Sequence, residues 1–141
     1  MNKLLLMGTG GTIACLPAKD GLAPQMSAAE LLTFLSEPQP DIDCRDLFAL
    51  DSSNIQPEEW RLMAREISAA KEEYAGVVVT HGTDTMAYSA SMLSFMLQGI
   101  SIPVVLTGAQ YPMFYPDSDG RTNLLDAILA ARALPGGVYV A

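Results

Sequence analysis

The chain has 141 residues, of which 50% are hydrophobic and 17% are charged. This composition is typical of one folded domain with a buried core, and it excludes an intrinsically disordered chain. Sixteen acidic against eight basic residues give a formal net charge of −8, which repels phosphate backbones and excludes a nucleic-acid partner.

The predicted elements alternate between strand and helix. Residues 3–7 form a strand that ends in glycines, and residues 15–26 form a loop or irregular hairpin rich in proline and glycine. Ser27 and Glu30 have capping-box spacing and begin a helix that runs through Leu35. The remaining elements are a strand at 43–50, a helix from Pro57, a strand at 76–81, a helix at 84–97, a strand at 103–106, a helix at 121–133 and a last apolar run at 138–141.

The pattern of the strands predicts the fold class. The runs at 76–81 and 103–106 are apolar without alternation, which is typical of strands buried on both faces. We therefore predict an α/β fold: a doubly wound, mostly parallel sheet with helices on both faces, in a Rossmann-like three-layer sandwich. The helix at 84–97 is apolar nearly all round, so we expect it to be buried, in part by another domain or subunit.

Neither of two apolar stretches predicts a membrane segment. Glycines end the first run after residue 7, far short of the core of a signal peptide. Residues 85–116 carry no charge, but glycines and prolines interrupt them and serines lie among the apolar residues. We predict a soluble protein with no membrane partner.

The cysteine and histidine content argues against two kinds of site. Cys15 and Cys44 form no Cys-x-x-Cys motif, and His81 is the single histidine. A disulfide framework and a thiolate or imidazole metal site are therefore poor interpretations, and we expect two reduced, inert thiols. His81 ends a buried strand, a position more typical of a hydrogen-bonded core residue than of a catalytic one.

Polar segments follow the first four predicted strands. They are Gly-Thr-Gly-Gly-Thr at 8–12, Asp-Ser-Ser-Asn at 51–54, His-Gly-Thr-Asp-Thr at 81–85 and Thr-Gly-Ala-Gln at 107–110. Ligands bind beyond the carboxyl ends of parallel strands, so these segments indicate one site that suits hydroxyl nucleophiles and a small polar substrate. Any one such residue is more often a helix cap, but two threonine-bearing glycine turns together favour a site.

Two other kinds of site fit poorly. A dinucleotide-binding turn needs Gly or Ala where Ile13 stands, and a helix directly after the turn. A Ser–His–Asp hydrolase needs a Gly-x-Ser-x-Gly elbow, which the sequence lacks.

Residues 8–14 and 79–85 together closely resemble the two signature segments of the bacterial-type L-asparaginases, in their cytoplasmic type I branch. Residues 51–54, 106–110 and 118–124 resemble that family's intervening segments, so the resemblance covers essentially the whole chain. It implies hydrolysis of L-asparagine to L-aspartate and ammonia through a threonine acyl-enzyme, with L-glutamine as a second candidate substrate. It further implies no cofactor, a cytoplasmic location and a homo-oligomer, either a dimer or a tetramer.

The resemblance also implies roles for five residues. Thr12 matches the primary nucleophile, and Thr83 and Asp84 match the second threonine and the carboxylate that holds the substrate's amino group. Ser52 and Ser53 match the positions that bind the substrate's α-carboxylate. A zwitterionic amino acid has two charged groups: a carboxylate in the site binds its ammonium group, and hydroxyl or amide donors bind its α-carboxylate.

The chain departs from the family pattern at two points. Leu22 stands where the family usually carries a tyrosine, and the lysine that the family pairs with its second threonine falls downstream of residue 141, outside this chain. Lys3 and Lys71 are predicted at the opposite edge of the sheet, and Lys19 lies on the loop after the first motif. An unactivated threonine is a weak nucleophile, so the base that deprotonates Thr12 has no assignment from the sequence.

Three interpretations stay open. The first is the catalytic N-terminal domain, residues 1–141, of a longer amidohydrolase whose C-terminal domain lies outside this chain. The second is a non-catalytic amino-acid-binding or regulatory module, which Leu22 and the missing lysine favour. The third is the amidase component of an archaeal-type tRNA-dependent amidotransferase. It ranks lower because such components carry an N-terminal extension, whereas the first predicted strand here begins at residue 3.

We expect the intact mass of the protein from its source cell to be well above 15.1 kDa, because members of the resembled family continue into a second domain. Mass spectrometry of the protein isolated from those cells measures this. A mass of 15.1 kDa would instead indicate a half-enzyme and place the binding-module interpretation first.

Overall fold

A five-stranded parallel sheet forms the centre of the computed structural model, which describes residues 2–141. Its strands are β1 (Leu4–Gly10), β4 (Ile42–Leu50), β5 (Gly76–Thr80), β6 (Pro103–Thr107) and β7 (Gly137–Val140). Their order is β4-β1-β5-β6-β7, and every neighbouring pair is parallel. Two short strands, β2 (Cys15–Ala18) and β3 (Gly21–Pro24), form an antiparallel hairpin.

Helices cover both faces of the sheet. One face carries α1 (Ala28–Leu32) and α4 (Gly120–Ala133), and the other carries α2 (Pro57–Ala70) and α3 (Met86–Met96). Short 3-10 helices at Thr12–Ala14 and Ser52–Asn54 follow β1 and β4.

The apolar pattern of β1 explains the layering. Successive side chains of a strand point to opposite faces of a sheet. Leu4 and Leu6 join the core cluster under α1 and α4, whereas Leu5 and Met7 join the cluster under α2 and α3. All four side chains are at most 1% exposed. The predicted α/β class, a parallel sheet covered on both faces, is confirmed.

The order of the strands decides which loops are neighbours. Because β1 lies between β4 and β5, and all three run in the same direction, the segments that follow them meet at one edge of the sheet. This is the carboxyl edge, where a ligand site is expected in such folds.

Two helices differ from their predicted form. After α1 ends at Leu32, the chain continues in tighter turns, in which the Leu35 N–H donates to the Leu32 carbonyl oxygen at 3.1 Å. The predicted burial of α3 holds for one side only, since Tyr88 is 67% and Phe95 is 70% exposed. A helix on a sheet buries the side that faces the sheet, and among residues 2–141 nothing covers the other side.

No helix in this range is long and apolar enough to cross a membrane.

The predicted capping box is present at the start of α1. The Glu30 N–H donates to the Ser27 Oγ at 3.1 Å, and the Ser27 N–H donates to the Glu30 Oε2 at 3.0 Å. Each bond satisfies a backbone donor that a helix start would otherwise leave unpaired.

Ser27→Ala is therefore expected to lower the free energy of unfolding by about 1 kcal/mol, because the cap's acceptor oxygen is lost. Urea denaturation followed by circular dichroism measures the change. Ser36→Ala, at an exposed serine after the helix, is the matched control and should shift stability by less than about 0.5 kcal/mol. Equal stabilities for Ser27→Ala and the wild type would contradict the role of the cap.

Candidate functional site

Two glycine turns lie against each other at the carboxyl edge of the sheet. Gly11, directly after β1, has a φ of +79°, and a Cβ atom added to it would lie 2.6 Å from the Cα of Gly82. A Cβ atom added to Gly82 would lie 2.6 Å from the Cβ and Oγ of Ser52. Real Cβ atoms do not approach so closely, so the three segments touch because these positions are glycine.

A small cavity lies where these three segments meet the hairpin of β2 and β3. Its volume is about 150 Å³, which is below the usual range for drug-sized ligands and suits a molecule of amino-acid size. The wall is formed by Gly11, Thr12, Cys15, Leu22, Ala23, Pro24, Asp51, Ser52, Gly82, Thr83 and Asp84. The structure thus brings together four of the residues predicted for the site, Thr12, Ser52, Thr83 and Asp84.

The side chains of Thr12, Thr83 and Asp84 are accessible to a ligand in the cavity. Thr12 begins the 3-10 helix after β1, and the other two lie in the turn between β5 and α3. All three are at least partly exposed. No side-chain hydrogen bond within residues 2–141 uses the hydroxyl of Thr12 or Thr83 or the carboxylate of Asp84.

Ser52 and Ser53 are adjacent in sequence but have different surroundings. Ser52 is 2% exposed and lines the cavity. Ser53 is exposed and does not line it, and its backbone N–H and hydroxyl donate to the Asp51 Oδ1 at 2.9 and 2.7 Å. The bond from the backbone N–H, and then the bond from the hydroxyl, lower the pKa of Asp51 below its usual value. Asp51 is therefore an anion at neutral pH.

Asp51 and Cys15 line the cavity in addition to the residues predicted for the site. Each has a signal in the sequence: Asp51 directly follows β4, and Cys15 lies three residues after Thr12, a spacing that a 3-10 turn brings to one side. The Cys15 thiol donates to the Gly11 carbonyl oxygen at 3.5 Å. Burial, and secondly the charge of Asp51, raise the pKa of Cys15, in agreement with the predicted inert thiol.

His81 lies in the core and not in the cavity wall, and its predicted core position is confirmed. Its Nδ1 is 2.6 Å from the Gly82 carbonyl oxygen, and because a carbonyl oxygen only accepts, Nδ1 carries the proton. Nε2 has no hydrogen-bond partner in the part of the chain that the structure describes. Burial lowers the pKa of His81 despite the opposing effect of the bond to Gly82, so the ring is neutral.

The lysines lie away from the cavity. Lys3 pairs with Asp43 at 2.8 Å beside the start of β1, Lys71 follows α2, and Lys19 lies in the turn between β2 and β3. Leu22, at the position of the family's tyrosine, lies in the wall and is 49% exposed. Within residues 2–141, the cavity wall therefore contains no lysine and no tyrosine.

The charges of the wall favour a ligand with a positive group. Asp51 and Asp84 supply carboxylates, and no lysine or arginine of residues 2–141 lies in the wall to neutralise them. An ammonium group gains charge-assisted hydrogen bonds in such a place, while hydroxyl and backbone N–H groups serve the ligand's acceptor oxygens. The cavity suits a small molecule that carries both kinds of group.

Asp51→Asn is expected to lower the pKa of Cys15 and to speed its alkylation at mildly alkaline pH, because a negative charge that disfavours the thiolate is removed. The asparagine keeps an oxygen that accepts from Ser53. Labelling with iodoacetamide, followed by peptide mass spectrometry, measures the rate. Cys44 in the same sample is the internal control, and an equal acceleration there, or none at Cys15, would contradict the expected effect.

The sequence matches a known family along almost its whole length. The family model "Asparaginase, N-terminal" matches residues 3–141. L-asparaginase of Thermococcus kodakarensis is 46% identical over 99% of this chain and 43% of its own length. L-asparaginase 1 of Escherichia coli K12 is 41% identical over 90% of this chain and 39% of its own length. A component of the glutamyl-tRNA(Gln) amidotransferase of Saccharolobus solfataricus is 37% identical over 99% of this chain and 32% of its own length.

Solved structures agree with the match in sequence. The thermostable L-asparaginase from Thermococcus kodakarensis superposes with a TM-score of 0.91 at 46% identity, over 99% of this chain and 43% of that chain. The probable cytoplasmic L-asparaginase from Campylobacter jejuni gives 0.84 at 34% identity, over 100% of this chain and 44% of that chain. The chain spans less than half the length of these relatives. With both sequence and fold in agreement from residue 3 to residue 141, the chain belongs to the asparaginase family and corresponds to its N-terminal domain.

Proposed function

We propose that the protein hydrolyses the side-chain amide of L-asparagine to give L-aspartate and ammonia. The observation that carries this proposal is the small cavity in which Thr12, Thr83 and Asp84 meet with free side chains. The names of the relatives at 46% and 41% identity support the reaction. L-Glutamine, one methylene longer, is the second candidate substrate.

Thr12 is the proposed nucleophile. Its Oγ forms a bond to the amide carbon, the carbon–nitrogen bond breaks, and the hydroxyl proton leaves on the nitrogen as ammonia. Water then attacks the resulting ester, so that the acid is released and a proton returns to the Thr12 oxygen. The Gly11 N–H donates to the Leu50 carbonyl oxygen at 2.9 Å, so the backbone N–H groups of the second glycine turn, those of Gly82 and Thr83, are proposed to stabilise the negative oxygen that develops in each step.

The remaining polar groups are proposed to hold the substrate. Asp84 binds the ammonium group, Thr83 contacts the reacting amide, and Ser52 and Ser53 bind the α-carboxylate. The negative wall supports this orientation, because it places an ammonium group beside a carboxylate. The scheme requires no metal and no cofactor.

We extend the proposal to location and assembly: a cytoplasmic homo-oligomer, either a dimer or a tetramer. The neighbour named as a probable cytoplasmic L-asparaginase supports the location. The uncovered side of α3, with Tyr88 and Phe95 exposed, supports a contact with another domain or subunit.

A non-catalytic amino-acid-binding module is the second candidate function. It is favoured by Leu22, which stands in the family's tyrosine position, because the cavity wall formed by residues 2–141 then offers no tyrosine hydroxyl beside Thr12. Calorimetric titration with L-aspartate and an ammonia assay with L-asparagine separate the two functions. A binder gives heat and no ammonia, whereas the enzyme gives both.

Thr12→Ala is expected to reduce ammonia release by about a thousandfold or more while the fold stays intact, because the nucleophilic oxygen is lost. A coupled ammonia assay on the protein as its source cell makes it measures turnover, and circular dichroism reports the fold. Thr122→Ala, at an exposed threonine outside the cavity wall, is the matched control and should keep full activity. Retained activity in Thr12→Ala would show that another group is the nucleophile.

A further inference from the structure

Thr85 joins the segment after β5 to the segment after β4 by two hydrogen bonds. Its Oγ1 donates to the Ser52 carbonyl oxygen at 2.8 Å, and its backbone N–H donates to the Ser52 Oγ at 3.3 Å. The two residues are 33 positions apart, and they follow β4 and β5, which β1 separates in the sheet. Thr85 itself does not line the cavity, so it affects a ligand only through neighbours that do, and Ser52 is the one to which it is hydrogen-bonded.

The bond from the Thr85 N–H determines whether the Ser52 hydroxyl can donate a hydrogen bond to a ligand. A hydroxyl has one proton and two acceptor lone pairs. Since the Ser52 Oγ accepts from the Thr85 N–H, its own proton remains for donation, and no acceptor within residues 2–141 takes it. Gly82 packs directly against the Ser52 Cβ and Oγ, so the side chain is held from a second direction. Ser52 is thus a fixed donor in the cavity wall.

The neighbouring serine has no donor to spare. The Ser53 hydroxyl and the Ser53 N–H both donate to the Asp51 Oδ1. Both bonds go to an ionised carboxylate, and such bonds are stronger than bonds between neutral groups. For Ser53 to bind an anionic ligand it would have to give up one of them.

We propose that Thr85 is a positioning residue that holds Ser52 in the orientation in which its hydroxyl donates to the substrate's α-carboxylate. The inference rests on the proposed function, to which it adds a residue that positions one of the substrate-binding groups. Thr85 acts only through Ser52 and touches no reacting atom.

Thr85→Val removes the hydroxyl bond at nearly constant volume, and Thr85→Ser keeps it. In the protein as its source cell makes it, KM for L-asparagine is expected to rise roughly three- to tenfold in Thr85→Val, the effect of one lost hydrogen bond, with kcat changed by less than about twofold. Thr85→Ser should restore a KM close to that of the wild type. In a Ser52→Ala background, Thr85→Val should add little to KM, because the side chain that it positions is already gone.

A pair of product-like inhibitors tests where the effect falls. L-Aspartate carries the α-carboxylate, and β-alanine is the same molecule without it. Thr85→Val is expected to weaken inhibition by L-aspartate and to leave inhibition by β-alanine unchanged. Equal weakening of both would show a general disturbance of the cavity and would overturn the proposal.

The serines supply a test that does not depend on the folding of Thr85→Val. Ser52→Ala should raise KM more than Ser53→Ala does, and the reverse order would overturn the proposal.

If the wild-type protein releases ammonia but Thr85→Val matches Thr85→Ser, this inference is wrong and the proposed function stands. If the wild-type protein neither releases ammonia nor binds L-aspartate, the proposed function is wrong and the inference falls with it.

Discussion

Close contact between the backbone at Gly11, the backbone at Gly82 and the side chain of Ser52 is the constraint on which the cavity depends. A methyl group at either glycine would occupy space that the next segment already fills. The three segments would have to move apart, and Thr12, Ser52 and Thr83 would no longer share one wall. The two glycines are thus required by packing between segments and not by the flexibility of a loop.

The order of the strands makes this contact possible. With β1 between β4 and β5, three polar segments that are far apart in the sequence become neighbours. Buried threonines tie the strand ends together: the Thr9 Oγ1 donates to the Thr80 carbonyl oxygen at 2.7 Å, and the Thr80 Oγ1 donates to the Met7 carbonyl oxygen at 3.4 Å. These hydroxyls are fully buried and fully paired, so they stabilise the site without taking part in its chemistry.

Hydrogen-bond partners, more than residue types, distinguish the hydroxyl groups near the cavity. In the part of the chain that the structure describes, Thr12 and Thr83 have hydroxyls in the wall with no side-chain hydrogen bond, so these hydroxyls are available to a ligand. Ser52 is held in place and keeps its proton for donation, whereas Ser53 gives its proton to Asp51. The two serines are adjacent in one motif, but their hydrogen-bond partners differ.

By itself, the sequence determined the α/β class, the capping box at Ser27 and the polar segments at the strand ends, because apolar periodicity and strand ends are local patterns. It did not determine that Cys15 and Asp51 join the cavity wall, that one side of α3 is left uncovered, or that Thr85 holds Ser52 across 33 residues of chain. Periodicity shows which residues avoid water but not which element covers them. Contacts between distant segments follow from strand order and backbone approach, and only the tertiary structure decides these.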